Sequence, residues 1–152
     1  MSNLGLERSL AEVGVRLLRT QVGDRYVVEA MRSEGVNLGG EQSGHVICLD
    51  HGTTGDGIVA GLQLLSVMVR RQRPLSELSS VLTRYPQVSS SWRVASKIPL
   101  RELPDTTAAV RAAEATLGDD GRVVIRYSGT EDKLRVMIEG TDEGQILSLI
   151  HI

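Results

Sequence analysis

The stretch Val123–Gly140, VVIRYSGTEDKLRVMIEG, constrains the fold of this chain more than any other. Apolar and polar residues alternate on both sides of a small polar loop, Ser128–Asp132, which is the pattern of a β-hairpin. If Arg126 faces Arg135, then Ile125 faces Val136, Val123 faces Ile138 and Arg122 faces Glu139. That register gathers Val123, Ile125, Val136 and Ile138 onto one face, as a buried face requires. It also sets two guanidinium groups opposite each other, and like charges so placed are destabilising. A bound anion between them would remove the cost. Ser128, Gly129 and Thr130 add hydroxyls, backbone N–H donors and room for close approach, so the loop suits a phosphate cradle. An ordinary hairpin with a polar turn and solvated arginines suits the same residues.

Composition narrows the class. The chain has 152 residues, enough for one domain or two small ones. It is 41% hydrophobic and 24% charged, which is globular. Formal net charge is −2 from 17 Lys+Arg and 19 Asp+Glu, so no basic excess argues for nucleic acid. Aromatics are 3% with no Phe, so there is no stacking platform for bases and the core must be Val, Leu and Ile. Cys48 is the single cysteine, which rules out an intrachain disulfide and a thiolate zinc site and fits a cytoplasmic location. The longest apolar stretch, Ile58–Val69, is too short to span a bilayer and is broken by Gly61, Gln63 and Ser66, so no membrane partner is expected.

In chain order, Leu4–Val13 reads as a short helix and Val15–Thr20 as a strand. A helix follows over Asp24–Glu34, with Asp24 as its cap, Gly35 as its stop, and Tyr26, Val27, Ala30 and Met31 inward. Val36–Leu38 is a brief extended piece. Gly39–His45 is a glycine-punctuated loop, and Val46–Asp50 is a strand leaving it. A polar turn, Asp50–Gly57, leads into the longest helix, Gly57–Arg71, whose stripe of Ile58, Leu62, Leu65 and Val69 is expected to be buried. Another helix is expected over Leu75–Arg84. Beyond a boundary near Tyr85–Ser91 come a strand (Gln87–Ala95), a proline-marked linker, a helix (Thr106–Leu117, capped by Asp105) and the hairpin. The tail Ile146–Ile152 is apolar without clean helical spacing. Both halves look incomplete, and the chain reads as cut at both ends with a last few residues that are not native.

Glu41, Ser43 and His45 fall on alternate positions between glycines, so an extended loop would point all three to one side. A carboxylate, a hydroxyl and an imidazole suit a polyol such as a sugar, and a solvated turn suits them too. Asp24 and Arg25, after Gly23, read as a cap and a surface cation, with an anion contact as the alternative. Asp50, His51 and Asp56 fit turn formation and capping better than metal ligation, and no metal residue is assigned.

Together these motifs resemble a known family. GEQSGH at Gly40–His45 and RYSGTEDKLRVMIEG at Arg126–Gly140 resemble third- and fourth-domain signatures of the α-D-phosphohexomutase superfamily. TQVGDRYVVEAM at Thr20–Met31, LGGEQSGHVI at Leu38–Ile47 and DHGTTGDG at Asp50–Gly57 narrow the resemblance to bacterial members that act on glucosamine phosphates. It covers Met1 to about Gly144.

The resemblance implies a mixed α/β and α+β fold. Residues 1–86 would be the C-terminal part of a phosphohexomutase α/β third domain. Residues 87–145 would be a β-α-β-β fourth domain of TATA-box-binding-protein-like fold, and 146–152 a non-native or truncated tail. The implied activity is an isomerase's: glucosamine 6-phosphate and glucosamine 1-phosphate interconvert on the route to UDP-N-acetylglucosamine and peptidoglycan. A phosphoserine, Mg²⁺ and glucosamine 1,6-bisphosphate take part. The chain holds neither a Thr-Ala-Ser-His-Asn-Pro-like serine loop nor an Asp-Gly-Asp-Ala-Asp-Arg-like metal loop, so alone it is expected to be inactive.

By the same resemblance, Glu41, Ser43 and His45 belong to the sugar loop. Arg126, Ser128, Gly129 and Thr130 form the phosphate loop with Arg135 just after it, and Asp24 and Arg25 lie near the cleft. The implied partner is a small hexosamine phosphate, and the intact enzyme would be a homodimer. A non-catalytic sugar-phosphate-binding module and a sister mutase acting on mannose or glucose phosphates are the alternatives. Tyr127 and Asp132 stand where the family usually has proline, which should loosen the loop and add a negative charge beside it.

Overall fold

The computed structural model describes residues 2–151. Met1 and Ile152, the outer ends of the expected first and last segments, lie outside the described residues. The chain divides into two units, Met1–Thr83 and Arg84–Ile152.

The first unit is mainly helical. Helix α1 spans Leu4–Glu12, with the Asn3 side chain accepting from the Gly5 N–H. The expected strand Val15–Thr20 does not form. A strand needs a neighbour to take its backbone N–H and C=O groups, and no ladder reaches this segment among the described residues. Its arginines are held by ion pairs instead, Arg16 with Glu34 and Arg19 with Glu7. Helix α2 is Asp24–Glu34, capped by Gly23 rather than by Asp24, and it stops at Gly35. The Asp24 carboxylate accepts from the Arg25 N–H.

Strands β1 (Leu38–Gly40) and β2 (Val46–Cys48) make a short antiparallel hairpin in which Gly40 pairs with Val46. Ile47 and Met31 are the buried anchors between this hairpin and α2. A Cβ on Gly39 would lie 2.4 Å from the Met31 sulfur, so the missing side chain is what lets helix and hairpin meet.

Helix α3 is Gly57–Arg71, capped by Asp56, whose carboxylate accepts from the Ile58 and Val59 N–H groups. Its expected buried stripe is exposed: Ile58 is 77% and Val69 75% exposed. The helix turns its Val59, Ala60, Gln63 and Val67 side toward the unit, and no element among the described residues covers the other side. The next helix is shorter than expected. Helix α4 is only Leu75–Leu78, followed by a 3-10 turn over Ser79–Val81. Ser79 and Ser80 donate their hydroxyls to the Ser76 and Glu77 carbonyls, a local competition that weakens a helix interior.

The second unit is a three-stranded antiparallel sheet with helices. Strands β3 (Gln87–Arg93), β4 (Gly121–Tyr127) and β5 (Lys133–Gly140) run in the order β3–β5–β4, with β5 central. Helix α5, Pro104–Leu117, starts before the expected Asp105 cap because Pro104 occupies its first position. A fixed φ and an absent N–H cost nothing there. Helix α6, Glu143–Leu149, corrects the reading of the tail: this stretch is helical, capped by Asp142, and drives Ile146 into the core. Leu117, Ile138, Ile146 and Ile150 form that core, with Val88, Val123 and Val136 packed around it. At one end of the sheet the buried Glu139 carboxylate pairs with the Arg122 guanidinium across β4 and β5.

Candidate functional site

Two loops carry the candidate residues, one in each unit. In the first unit the loop closes the β1–β2 hairpin. Glu41 N–H donates to the His45 carbonyl at 2.8 Å, and Gly44 N–H donates to the Glu41 carbonyl at 3.1 Å. Gly40 permits this closure, since a Cβ there would stand 2.6 Å from the His45 carbonyl oxygen. Gly44 takes φ 100°, a conformation other residues rarely adopt.

The loop is therefore a tight turn, and the extended alternation expected for Glu41, Ser43 and His45 is not present. Ser43 Oγ and His45 Nδ1 are hydrogen-bonded at 3.0 Å on the exposed side. Glu41 turns away to another element. Its Oε1 accepts from the Gly23 N–H at 2.8 Å, which ties the loop to the N-terminus of α2. Oε2 has no hydrogen-bond partner among the described residues. This brace joins the loop to Gly23, the residue before Asp24 and Arg25. Arg25 lies over the Tyr26 ring, 5.0 Å from its centroid. Nothing in the sequence signals the brace, because its donor is a backbone group 18 residues upstream.

In the second unit the expected hairpin register is observed in full: Arg126 pairs with Arg135, Ile125 with Val136, Val123 with Ile138 and Arg122 with Glu139. Ser128 N–H donates to the Lys133 carbonyl at 2.8 Å and closes the tip. Beyond that bond, Gly129 is open on its side-chain side, with nothing within 4 Å of a Cβ placed there. Thr130 is exposed, whereas Ser128 is only 4% exposed. No protein group pairs with the Ser128 hydroxyl among the described residues, so it is open to an incoming acceptor at the loop tip.

The two arginines differ. Arg126 is half-buried and makes no ion pair among the described residues. Arg135 is paired with Glu131, Nη2 to Oε2 at 2.6 Å, while its Nε is buried and has no hydrogen-bond partner. The other oxygen of Glu131 takes Lys133 Nζ, also at 2.6 Å. The Lys133 hydrogen bond, and then that of Arg135, hold the Glu131 carboxyl below the ordinary glutamate range.

Glu131 and Lys133 were missed from sequence. Their signal was present, since Glu131, Lys133 and Arg135 alternate and so share a side. The two positions that depart from proline, Tyr127 and Asp132, each make contacts beyond the hairpin. Tyr127 Oη donates to the Ile98 carbonyl at 2.7 Å, and the Asp132 carbonyl accepts from the Val94 N–H at 3.0 Å. The Asp132 carboxylate pairs with Lys97 at 3.6 Å.

No group of three or more His, Cys, Asp or Glu side chains gathers as a cation site among the described residues, so the residues present do not fit Mg²⁺. Nor is any helix among them long and apolar enough to cross a membrane.

Two family models match. Residues 1–85 match the model described as phosphoglucomutase/phosphomannomutase, alpha/beta/alpha domain III, and residues 92–151 match its C-terminal domain. The second match runs through α6. The chain is 55% identical over 149 residues to a phosphoglucosamine mutase of Syntrophotalea carbinolica, covering 98% of this chain and 33% of that protein. It is 56% identical over 149 residues to the phosphoglucosamine mutase of Nitratidesulfovibrio vulgaris, with the same coverage of 98% and 33%. The chain thus spans about a third of the length of these relatives. Among solved structures, Aspergillus fumigatus N-acetylphosphoglucosamine mutase has the same fold at a TM-score of 0.81 and 17% identity, over 99% of this chain and 35% of that one. A structure of that enzyme in complex with GlcNAc-6P and magnesium matches at 0.79 and 17% identity, over 98% of this chain and 38% of that one.

Proposed function

The chain belongs to the phosphoglucomutase/phosphomannomutase family, and from that premise we propose that it holds the sugar and the idle phosphate in a phosphoglucosamine mutase. The reaction of the whole protein would interconvert glucosamine 6-phosphate and glucosamine 1-phosphate. The phosphoryl donor and the Mg²⁺ site would come from parts of the enzyme other than these residues. Within the chain, Glu41 Oε2 and the Ser43–His45 pair offer acceptors and a donor to sugar hydroxyls. The hairpin tip holds the phosphate that is not being transferred.

The observation that carries this reading is the set of donors left open on one hairpin. Arg126 has no ion pair, the Ser128 hydroxyl has no partner, and the Gly129 backbone is free on one side, all among the described residues. A half-buried guanidinium and a hydroxyl that no protein group takes are donors available to an incoming acceptor. A phosphate supplies several. The chemistry asks for such a site. A bisphosphate intermediate that turns end for end must fit either phosphate into the same cradle, and grip by charge and hydroxyls permits that exchange.

The test is titration of the ¹⁵N-labelled chain with glucosamine 6-phosphate, for wild type and Arg126→Ala. Saturable shifts of the Ser128, Gly129 and Thr130 amides are expected in wild type, with at least tenfold weaker binding in the variant, on the order of one charge-assisted hydrogen bond. Shifts that survive Arg126→Ala unchanged would remove the cradle assignment.

A further inference from the structure

We propose that Glu131 is an internal counter-anion that competes with incoming phosphate for Arg135 and Lys133, and so sets how tightly the hairpin tip holds a phosphate. The inference rests on the phosphate-holding reading of this loop and adds a residue to it.

Arg126, Lys133 and Arg135 line the tip; the register brings Arg126 directly opposite Arg135, and Arg93 opposite Lys133 on the other side of the central strand. One carboxylate answers the first three. Glu131 divides itself, with Oε1 on Lys133 and Oε2 on Arg135, each at 2.6 Å. The neighbouring acid Asp132 is taken up by Lys97. A carboxylate that placed both oxygens on one guanidinium would make a paired, two-pronged contact. Glu131 does not. It leaves the Arg135 Nε buried and unpaired, so the arginine is only partly satisfied.

The loop therefore meets its ligand with one arginine free and the other two cations lent to a single negative charge. A phosphate carries up to two charges and more acceptor oxygens, so it can displace the carboxylate. When phosphate leaves, Glu131 is tethered at the site and returns. A mutase needs this behaviour, because each phosphate must be gripped and then released within a turnover. Three uncompensated cations would favour grip at the expense of release.

The competing view makes Glu131 a positioning residue that holds Arg135 ready for phosphate. The two views predict opposite signs. In the ¹⁵N-labelled 152-residue chain, inorganic phosphate is titrated at fixed ionic strength against wild type, Glu131→Gln, Glu131→Ala and Arg126→Ala, following the amides of residues 128 to 130. Both Glu131 variants are expected to bind phosphate about two- to fivefold more tightly than wild type, the range of one exposed charge contact, and to lose affinity more steeply with salt. Binding that is unchanged or weaker in both variants overturns the proposal, provided that Arg126→Ala abolishes it. If wild type shows no saturable, Arg126-dependent shift, the phosphate reading fails and this proposal with it. Preserved amide dispersion in each variant identifies the folded state.

Discussion

Replacing Ile146 by alanine tests the most consequential feature of the second unit, the closing of its sheet by α6. Ile146 is 1% exposed and packs with Leu117, Ile138 and Ile150. Its Cγ2 lies 3.1 Å from where a Cβ on Gly140 would stand, so strand and helix are in close contact there. Truncation removes three carbons. At ~0.8 kcal/mol per methylene the transfer loss is about 2.4 kcal/mol, and the unfilled cavity raises it to about 3–4 kcal/mol. A small unit holds on the order of 5 kcal/mol in total, so this one substitution removes most of its stability. Leu147 is the control, one residue on and 46% exposed, and Leu147→Ala should cost less than about 1 kcal/mol. Native-state hydrogen exchange at Ile138 and Glu139, on the central strand, reads the opening free energy of this unit without assuming that both units unfold together. If the two variants lower protection there equally, Ile146 is not a core residue and α6 does not close the sheet.

Two further outcomes follow from particular contacts. Asp56→Ala should destabilise α3 by about 1 kcal/mol, because Oδ1 accepts from two otherwise unpaired N–H groups, and faster exchange at Ile58 and Val59 is the readout. The Glu131 carboxyl should titrate below the ordinary glutamate value, and Lys133→Met should move its midpoint back up, since Lys133 is the largest cause of the lowering. The sign is that of a depressed acid: the contribution to the folded loop is present above the unfolded midpoint and is lost as pH falls through the folded one. Carboxyl ¹³C shifts followed through an acid titration measure both.

What was legible in the sequence is what local chemistry decides. The hairpin register was readable because a one-residue slip would send Ile125, Val136 and Ile138 out of the core, so only one pairing suits the pattern. Helices α2 and α3 were readable from spacing and from their glycine or aspartate boundaries. What was not legible depends on neighbours that spacing does not name. Val15–Thr20 has strand-forming residues but no strand to pair with among the described residues. The α3 stripe is apolar, but apolarity says only that a face can be buried, not that something covers it. The α6 stretch hid its helix because its core contacts, Ile146 and Ile150, are only one pair at i,i+4 within a nearly all-apolar run.

The site divides in the same way. Pairing Arg126 with Arg135 was a matter of counting residues, and it raised a real electrostatic difficulty, two guanidinium groups face to face. An external anion was one answer. The chain itself supplies another, two residues beyond the serine and glycine that suggested a cradle: Glu131 takes Arg135 and leaves Arg126 without a counter-ion among the described residues. The like-charge conflict is thus settled on one side only. One arginine is paired and the other is half-buried without an ion pair, beside a serine hydroxyl with no protein partner among the described residues, and this remaining positive charge is the ground on which the proposed phosphate site rests.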